Sequence, residues 1–204
     1  MDELRIRAAT TADAPELLAI YAPYVRETAI TFEYEAPPVD EFAERIANVL
    51  KKYPYLAAER SGEIVGYAYA GPFKTRAAYG WAVENTVYVK RSMQRCGVGR
   101  ALYAGLEHLL AAQHITNVNA CIAVPIGEDP YLTWDSVAFH TRLGYLMVGE
   151  FDRCAYKFGR WYSMMWMGTA RCCFRSLRRR PIGSMPVAMR SSRPSAISAI
   201  MSTR

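Results

Sequence analysis

The sequence predicts an α/β chain, a mixed β-sheet with helices on both faces. Three observations carry this prediction. Strand and helix periodicities follow one another in the order strand, helix, helix, hairpin, strand, helix, strand, helix, strands. A glycine-bearing turn at residues 94–99 joins a β-branched run directly to an amphipathic one. Of the 204 residues, 51% are hydrophobic and 22% charged, so a substantial core is available.

Leu4 and Ile6 alternate with Arg5 and Arg7, the pattern of a short half-buried strand. Leu17, Leu18, Tyr21 and Val25 then share one helical face, with Thr11 placed to cap it. Val39, Phe42, Ile46, Leu50 and Tyr53 repeat at spacings of three and four after Pro37-Pro38, and Pro54 stops this second helix. The run 55–71 reads as a β-hairpin turning at Ser61-Gly62. The run 81–89, WAVENTVYV, is a further strand rich in β-branched and aromatic residues. QRCGVG (94–99) opens a helix whose buried face holds Val98, Leu102, Leu106, Leu109 and Leu110. A buried strand is expected over 117–124, a short helix from Ser136 to Leu143 stopped by Gly144, and strands around Leu146–Asp152 and Tyr162–Met167. Trp81, Trp161 and Trp166 read as core.

Composition changes at Gly168. Residues 168–204 hold eight Arg, no Lys and no acid, so of a net charge of +6 the preceding residues carry −2. The basicity belongs to the tail, which reads as a disordered or non-native extension. Nucleic acid is not an expected partner of the domain at 1–167, and only the tail offers a basic arm. No apolar run approaches the roughly 18 residues of a membrane span, and MDELRIRAAT has the early acids and lacks the apolar stretch that distinguish it from a secretory signal. Cys96, Cys121, Cys154, Cys172 and Cys173 are odd in number and lack metal-ligand spacing. Reduced thiols in a cytoplasmic protein without a metal are expected.

A strand running into Gln94-Arg95-Cys96-Gly97-Val98-Gly99-Arg100 and then a helix is an arrangement that binds phosphate. Glycines admit a close backbone approach, unpaired amides point outward at the helix start, and Arg95 and Arg100 add positive charge. The Lys-Ser/Thr of a Walker A loop and the third glycine of a dinucleotide fingerprint are both missing, which excludes those readings. By itself the pattern also fits an ordinary strand-to-helix turn.

Val87-Tyr88-Val89 followed by Gln94-x-x-Gly97-x-Gly99-Arg100 resembles the acetyl-CoA motif of the GNAT N-acetyltransferase superfamily, and Ser136-x-x-x-His140-x-x-x-Gly144-Tyr145 resembles its second motif. Residues 70–89, 139–145 and 156–161 resemble the phosphinothricin and methionine sulfone/sulfoximine acetyltransferases within it, over about Ile6 to Met167. The resemblance implies a mostly antiparallel sheet of six or seven strands whose central parallel pair splays apart. Acetyl-CoA would enter that gap, with its pyrophosphate on the amides of residues 95–100 and its pantetheine arm along Val87, Tyr88 and Val89. Ser136 would belong to the same cofactor site. Where the family usually has Asn three residues before this Ser, the chain has Thr133, and Asp135 directly precedes the Ser.

Acyl transfer to an amine needs the neutral nucleophile, so a carboxylate is required to take the ammonium proton. Glu84 is the candidate, an acid in an otherwise apolar and neutral strand, and it matches the family's catalytic Glu. His140 matches the tyrosine that many relatives place near the CoA sulfur, and the resemblance implies protonation of the departing thiolate or substrate positioning. Polarisation of the thioester carbonyl by a backbone amide near Val87 or Tyr88 is likewise implied. A covalent route through Cys96 or Cys121 lacks a His-Asp arrangement nearby in sequence, which favours direct transfer.

Lys74, Arg76 and Tyr79 cluster just before the catalytic strand, where positive charge suits an amino-acid-like acceptor bearing carboxylate or phosphinate. Phe32 matches a family aromatic against the substrate. Thr86 and Tyr88 share the face of Glu84 at period two and are candidate pocket walls. The expected reaction is acetylation of the α-amine of a small acceptor of the phosphinothricin, methionine sulfoximine or methionine sulfone type. Another small primary amine or a protein N-terminus is the alternative. The resemblance also implies a homodimer.

Overall fold

The computed structural model describes residues 3–170. The expectations for the basic segment from 171 onward, including Cys172 and Cys173, lie outside the described residues. Seven strands form one sheet: β1 (Arg5–Ala8), β2 (Tyr55–Arg60), β3 (Glu63–Pro72), β4 (Ala82–Val89), β5 (Asn117–Val124), β6 (Leu146–Lys157) and β7 (Arg160–Ala170). Their spatial order is β1-β2-β3-β4-β5-β7-β6. Helices α1 (Ala14–Glu27), α2 (Val39–Leu50), α3 (Val98–Ala112) and α4 (Asp135–Arg142) complete the fold. Every neighbouring strand pair is antiparallel except β4 with β5.

The sheet is covered on both faces, and the sequence of β2 shows why. Its first four residues are all buried because they serve two cores. Tyr55 and Ala57 join the cluster beneath α1 and α2, with Leu17, Val25, Phe42 and Ile46. Leu56 and Ala58 join the cluster beneath α3, with Leu102, Leu106 and Leu110. Burying each such leucine is worth roughly 1.5–3 kcal/mol.

Several sequence expectations are corrected. Thr10, not Thr11, opens the first helical segment: its N–H donates to the Asp13 carboxylate at 2.7 Å, and Arg7 grips that carboxylate with two nitrogens at 2.8 Å. Val39, Leu50 and Leu109 lie on exposed helix surface although their spacing matches the buried rows. Trp81 and Trp161 are exposed rather than core, at 61% and 55%. The last two strands are longer than expected and form a hairpin through Phe158 and Gly159, both at positive φ. A bulky residue at φ 50° hides that turn from sequence rules. β7 also runs past Met167 to Ala170, so the change in composition at Gly168 falls inside a strand.

Candidate active site

β4 and β5 pair over only three positions, Ala82 with Asn117, Val83 with Val118 and Glu84 with Asn119. Beyond Glu84 the two strands part, and a cleft opens between Asn85–Tyr88 on one side and Ala120–Ala123 on the other. Tyr103 of α3, with Ser136 and His140 of α4, lines the same cleft.

The far end of β4 leads through a 3-10 turn, Arg91–Met93, into the glycine loop. Gly97 stands at φ 82° as the N-cap of α3, a conformation that costs a side-chain-bearing residue strain. The first intrahelical bond runs from the Ala101 N–H to the Gly97 carbonyl at 3.0 Å. The amides of Val98, Gly99 and Arg100 are therefore left for an external acceptor. A Cβ on Gly99 would come within 3.2 Å of the Phe139 ring, so a side chain there would crowd α4 against this loop. Cys96 and Arg100 are exposed here. Arg95 reaches the Asp135 carboxylate at 3.1 Å in an exposed ion pair that links the loop to the first turn of α4. Gln94 is used within the fold: its amide donates to the Tyr24 hydroxyl at 2.9 Å, and that hydroxyl donates to the Val89 carbonyl.

Glu84 is the last residue of β4 to pair with β5, next to the point where the cleft opens, and is half-buried on the strand face it shares with Thr86 and Tyr88. Burial raises its pKa above the ordinary carboxylate range, and the Lys74 ammonium works in the opposite direction. A base must be ionised to act, so the acid limb of kcat/KM is expected above the usual value of about 4.3. Replacing Lys74 by Met removes the opposing charge and is expected to move this limb to higher pH. A limb that stays put, or moves down, in a pH profile of the variant would contradict the placement of Lys74 beside the carboxylate.

His140 is 4% exposed and both ring nitrogens are engaged. Nδ1 lies 2.7 Å from the Ser136 carbonyl and Nε2 lies 2.9 Å from the Tyr103 hydroxyl. A carbonyl can only accept, so Nδ1 carries the proton and Nε2 accepts from Tyr103. This tautomer is inferred from the partners. Burial holds the imidazole pKa below its usual value, which keeps the ring neutral.

On the opposite face, Phe32 packs near Tyr162 at 6.2 Å between ring centres, in a small cluster with Ala29 and Leu132. The segment carrying Phe32 is fixed by Lys157, whose ammonium donates to the carbonyls of Val25, Thr28 and Thr31 at 2.8, 2.9 and 2.7 Å. Lys74 lies over the rings of Phe73 and Trp166 at 5.2 and 5.6 Å. Arg76 is exposed, and Tyr79 meets Phe73 edge-on. Tyr88 is wedged against Tyr21 and Tyr24. It also walls a second cavity of about 220 Å³ bounded by Tyr21, Tyr55, Tyr67 and Tyr69.

Residues 6–166 match the Acetyltransferase (GNAT) domain family. The chain belongs to the GNAT acetyltransferase family. It is 37% identical over 161 residues to a phosphinothricin N-acetyltransferase of Streptomyces viridochromogenes, covering 79% of this chain and 84% of that protein. It is 33% identical to an L-methionine sulfoximine/L-methionine sulfone acetyltransferase of Pseudomonas aeruginosa, covering 79% and 91%. Among solved structures, the phosphinothricin acetyltransferase of Sinorhizobium meliloti in complex with AcCoA superposes with a TM-score of 0.76 at 27% identity, covering 87% and 93%.

As a GNAT enzyme the chain is an acetyl-CoA-dependent N-acetyltransferase. Its own residues fit that donor: the cleft is flanked by strand edges that do not pair across it, and unbonded helix amides stand at its outer end. Among the described residues no cluster of His, Cys, Asp or Glu could hold a metal ion. Three site residues escaped the sequence reading. Tyr103 lies in the amphipathic run after Gly97 with no signal of its own, and Lys157 lies in the run 156–161 with none either. Asn85 left a trace, a polar residue in the Val83–Val87 row of an otherwise apolar strand face.

Proposed function

We propose that this GNAT enzyme transfers the acetyl group directly to the α-amine of small amino-acid-like acceptors of the phosphinothricin, methionine sulfoximine or methionine sulfone type. The observation that carries the proposal is Glu84, a carboxylate of raised pKa at the point where β4 and β5 part, with Lys74 beside it. In this reading Glu84 takes the ammonium proton, directly or through water, and Lys74 and Arg76 pair with acceptor carboxylate. Phe32, Thr86, Tyr88 and Tyr79 bound the acceptor. The cofactor lies along Val87, Tyr88 and Val89 with phosphates on residues 95–100, and Ser136 borders it. The Tyr103–His140 pair lines the cleft, and in this reading His140 serves to protonate the departing thiolate or to position the substrate.

Thiol release from acetyl-CoA, measured across these three amino acids, a polyamine and an N-terminal peptide, tests the acceptor class. Turnover confined to polyamine or peptide would reject it. We further read the enzyme as a cytoplasmic homodimer whose residues 168–204 take no part in the chemistry. The free thiols of Cys96, Cys121 and Cys154 fit a reducing compartment. Exposed Leu146, Val148 and Phe151 on the edge strand β6 form an apolar strip suited to a second copy. Light scattering on the purified chain distinguishes monomer from dimer. Among the described residues no helix is long and apolar enough to cross a membrane.

A further inference from the structure

Asn85 is 3% exposed, and neither its Nδ2 nor its Oδ1 has a hydrogen-bond partner. Burying an unpaired amide opposes folding, and native chains seldom leave one in place. The neighbouring strand shows that this region can satisfy such a group. Asn119 is 7% exposed, and its Nδ2 donates to the Val83 carbonyl at 3.2 Å and to Asn117 Oδ1 at 2.5 Å.

The position of Asn85 supplies a reason. Glu84 is the last residue of β4 to pair with β5, so Asn85 is the first beyond the junction and lines the cleft. Successive side chains of a strand point to opposite faces. The carboxylate of Glu84 and the amide of Asn85 therefore stand back to back across one strand, the second in the cleft that Tyr103 and His140 also line. An amide offers N–H donors and a carbonyl acceptor. A thioester joined to a pantetheine arm offers a carbonyl oxygen and, further along, an amide N–H.

We propose that Asn85 is a catalytic residue that holds the thioester end of acetyl-CoA, Nδ2–H donating to the acyl carbonyl oxygen and Oδ1 accepting the nearest pantetheine N–H. The inference rests on the acetyl-CoA-dependent reading of the cleft. During transfer the amine nitrogen bonds to the acyl carbon, the carbon–sulfur bond breaks, and the sulfur leaves with its electron pair. The nitrogen gives its proton up on the Glu84 side. Asn85 is unchanged chemically and holds the charge that gathers on the carbonyl oxygen, a task in which one donor is worth on the order of 100-fold in kcat.

The variant Asn85→Leu keeps the size of the side chain and removes both polar atoms. Without ligand it is expected to melt at a higher temperature than the parent, because the unpaired amide is gone. Its kcat is expected to fall on the order of 100-fold. Calorimetry with acetyl-CoA and with CoA gives a further readout, since only the former carries the acyl oxygen. The preference of the parent for acetyl-CoA over CoA is expected to collapse in the variant. Asn85→Ala, measured in parallel, covers the case in which leucine does not fit, and is expected to show the same loss of kcat and of preference. A lower melting temperature for both variants, or an unchanged kcat with unchanged preference in either folded variant, overturns the inference. If the parent itself binds neither acetyl-CoA nor CoA, the reading of the cleft fails instead, and the two failures are distinguishable.

Discussion

Glu84→Gln is expected to lower kcat by about 10²–10⁴-fold while leaving the fold intact, because the amide keeps the shape and loses the basicity. The carboxylate is half-buried in a strand whose other residues are uncharged, and burial is the largest influence on its pKa. The consequence for stability has a definite sign. A carboxyl group whose pKa is raised by folding favours the folded state only while protonated, so its contribution is lost as pH rises through the folded value. At neutral pH the charged form is held against its preference, and Gln removes that opposition. The variant is therefore expected to melt no lower than the parent at neutral pH, with any advantage fading as pH falls below the raised value. Steady-state kinetics with saturating acetyl-CoA, paired with melting curves at two pH values, checks both halves. Near-normal turnover would remove Glu84 as the base, and a lower melting temperature at neutral pH would show that its charge is structurally needed.

Lys157→Met is expected to destabilise the chain by about 3 kcal/mol, since three carbonyls lose their donor and each unsatisfied group costs about 1–3 kcal/mol, partly offset by no longer burying an ammonium. For a domain of this size that corresponds to a fall of about 6–12 °C in Tm. Lys157 is 2% exposed and its three acceptors belong to the end of α1 and the segment after it. Phe32 lies one residue beyond the last of them, so the damage should be directional. KM for the amine is expected to rise several-fold, whereas the affinity for acetyl-CoA, proposed to lie along Val87–Val89 and the glycine loop, should hold. Equal losses for both ligands would mean that Lys157 supports the fold without serving the acceptor side in particular.

The elements that announced themselves in the sequence are those written in local chemistry. Ser61-Gly62 turns a hairpin as expected, and Gly97 takes the positive φ that the loop before α3 requires. Glu84 stood out because its neighbours along the strand are neutral, and its partner-facing row with Thr86 and Tyr88 followed from period two alone. What stayed hidden depends on residues far away in the chain. Lys157 finds its acceptors more than 100 positions earlier. Tyr103 acquires its meaning only from His140 on another helix. Trp81 and Trp161 look like core by composition, yet Trp81 lies just before β4, Trp161 is the second residue of β7, and both are exposed.

The three-residue contact between β4 and β5 carries a mechanical implication. It makes the sheet two panels held by a short seam, with few main-chain bonds to resist their separation. A donor molecule laid along the open edges would stitch the panels together for the duration of one catalytic cycle. Each departure of the spent carrier would leave them joined by the seam and by the apolar core they share beneath α3.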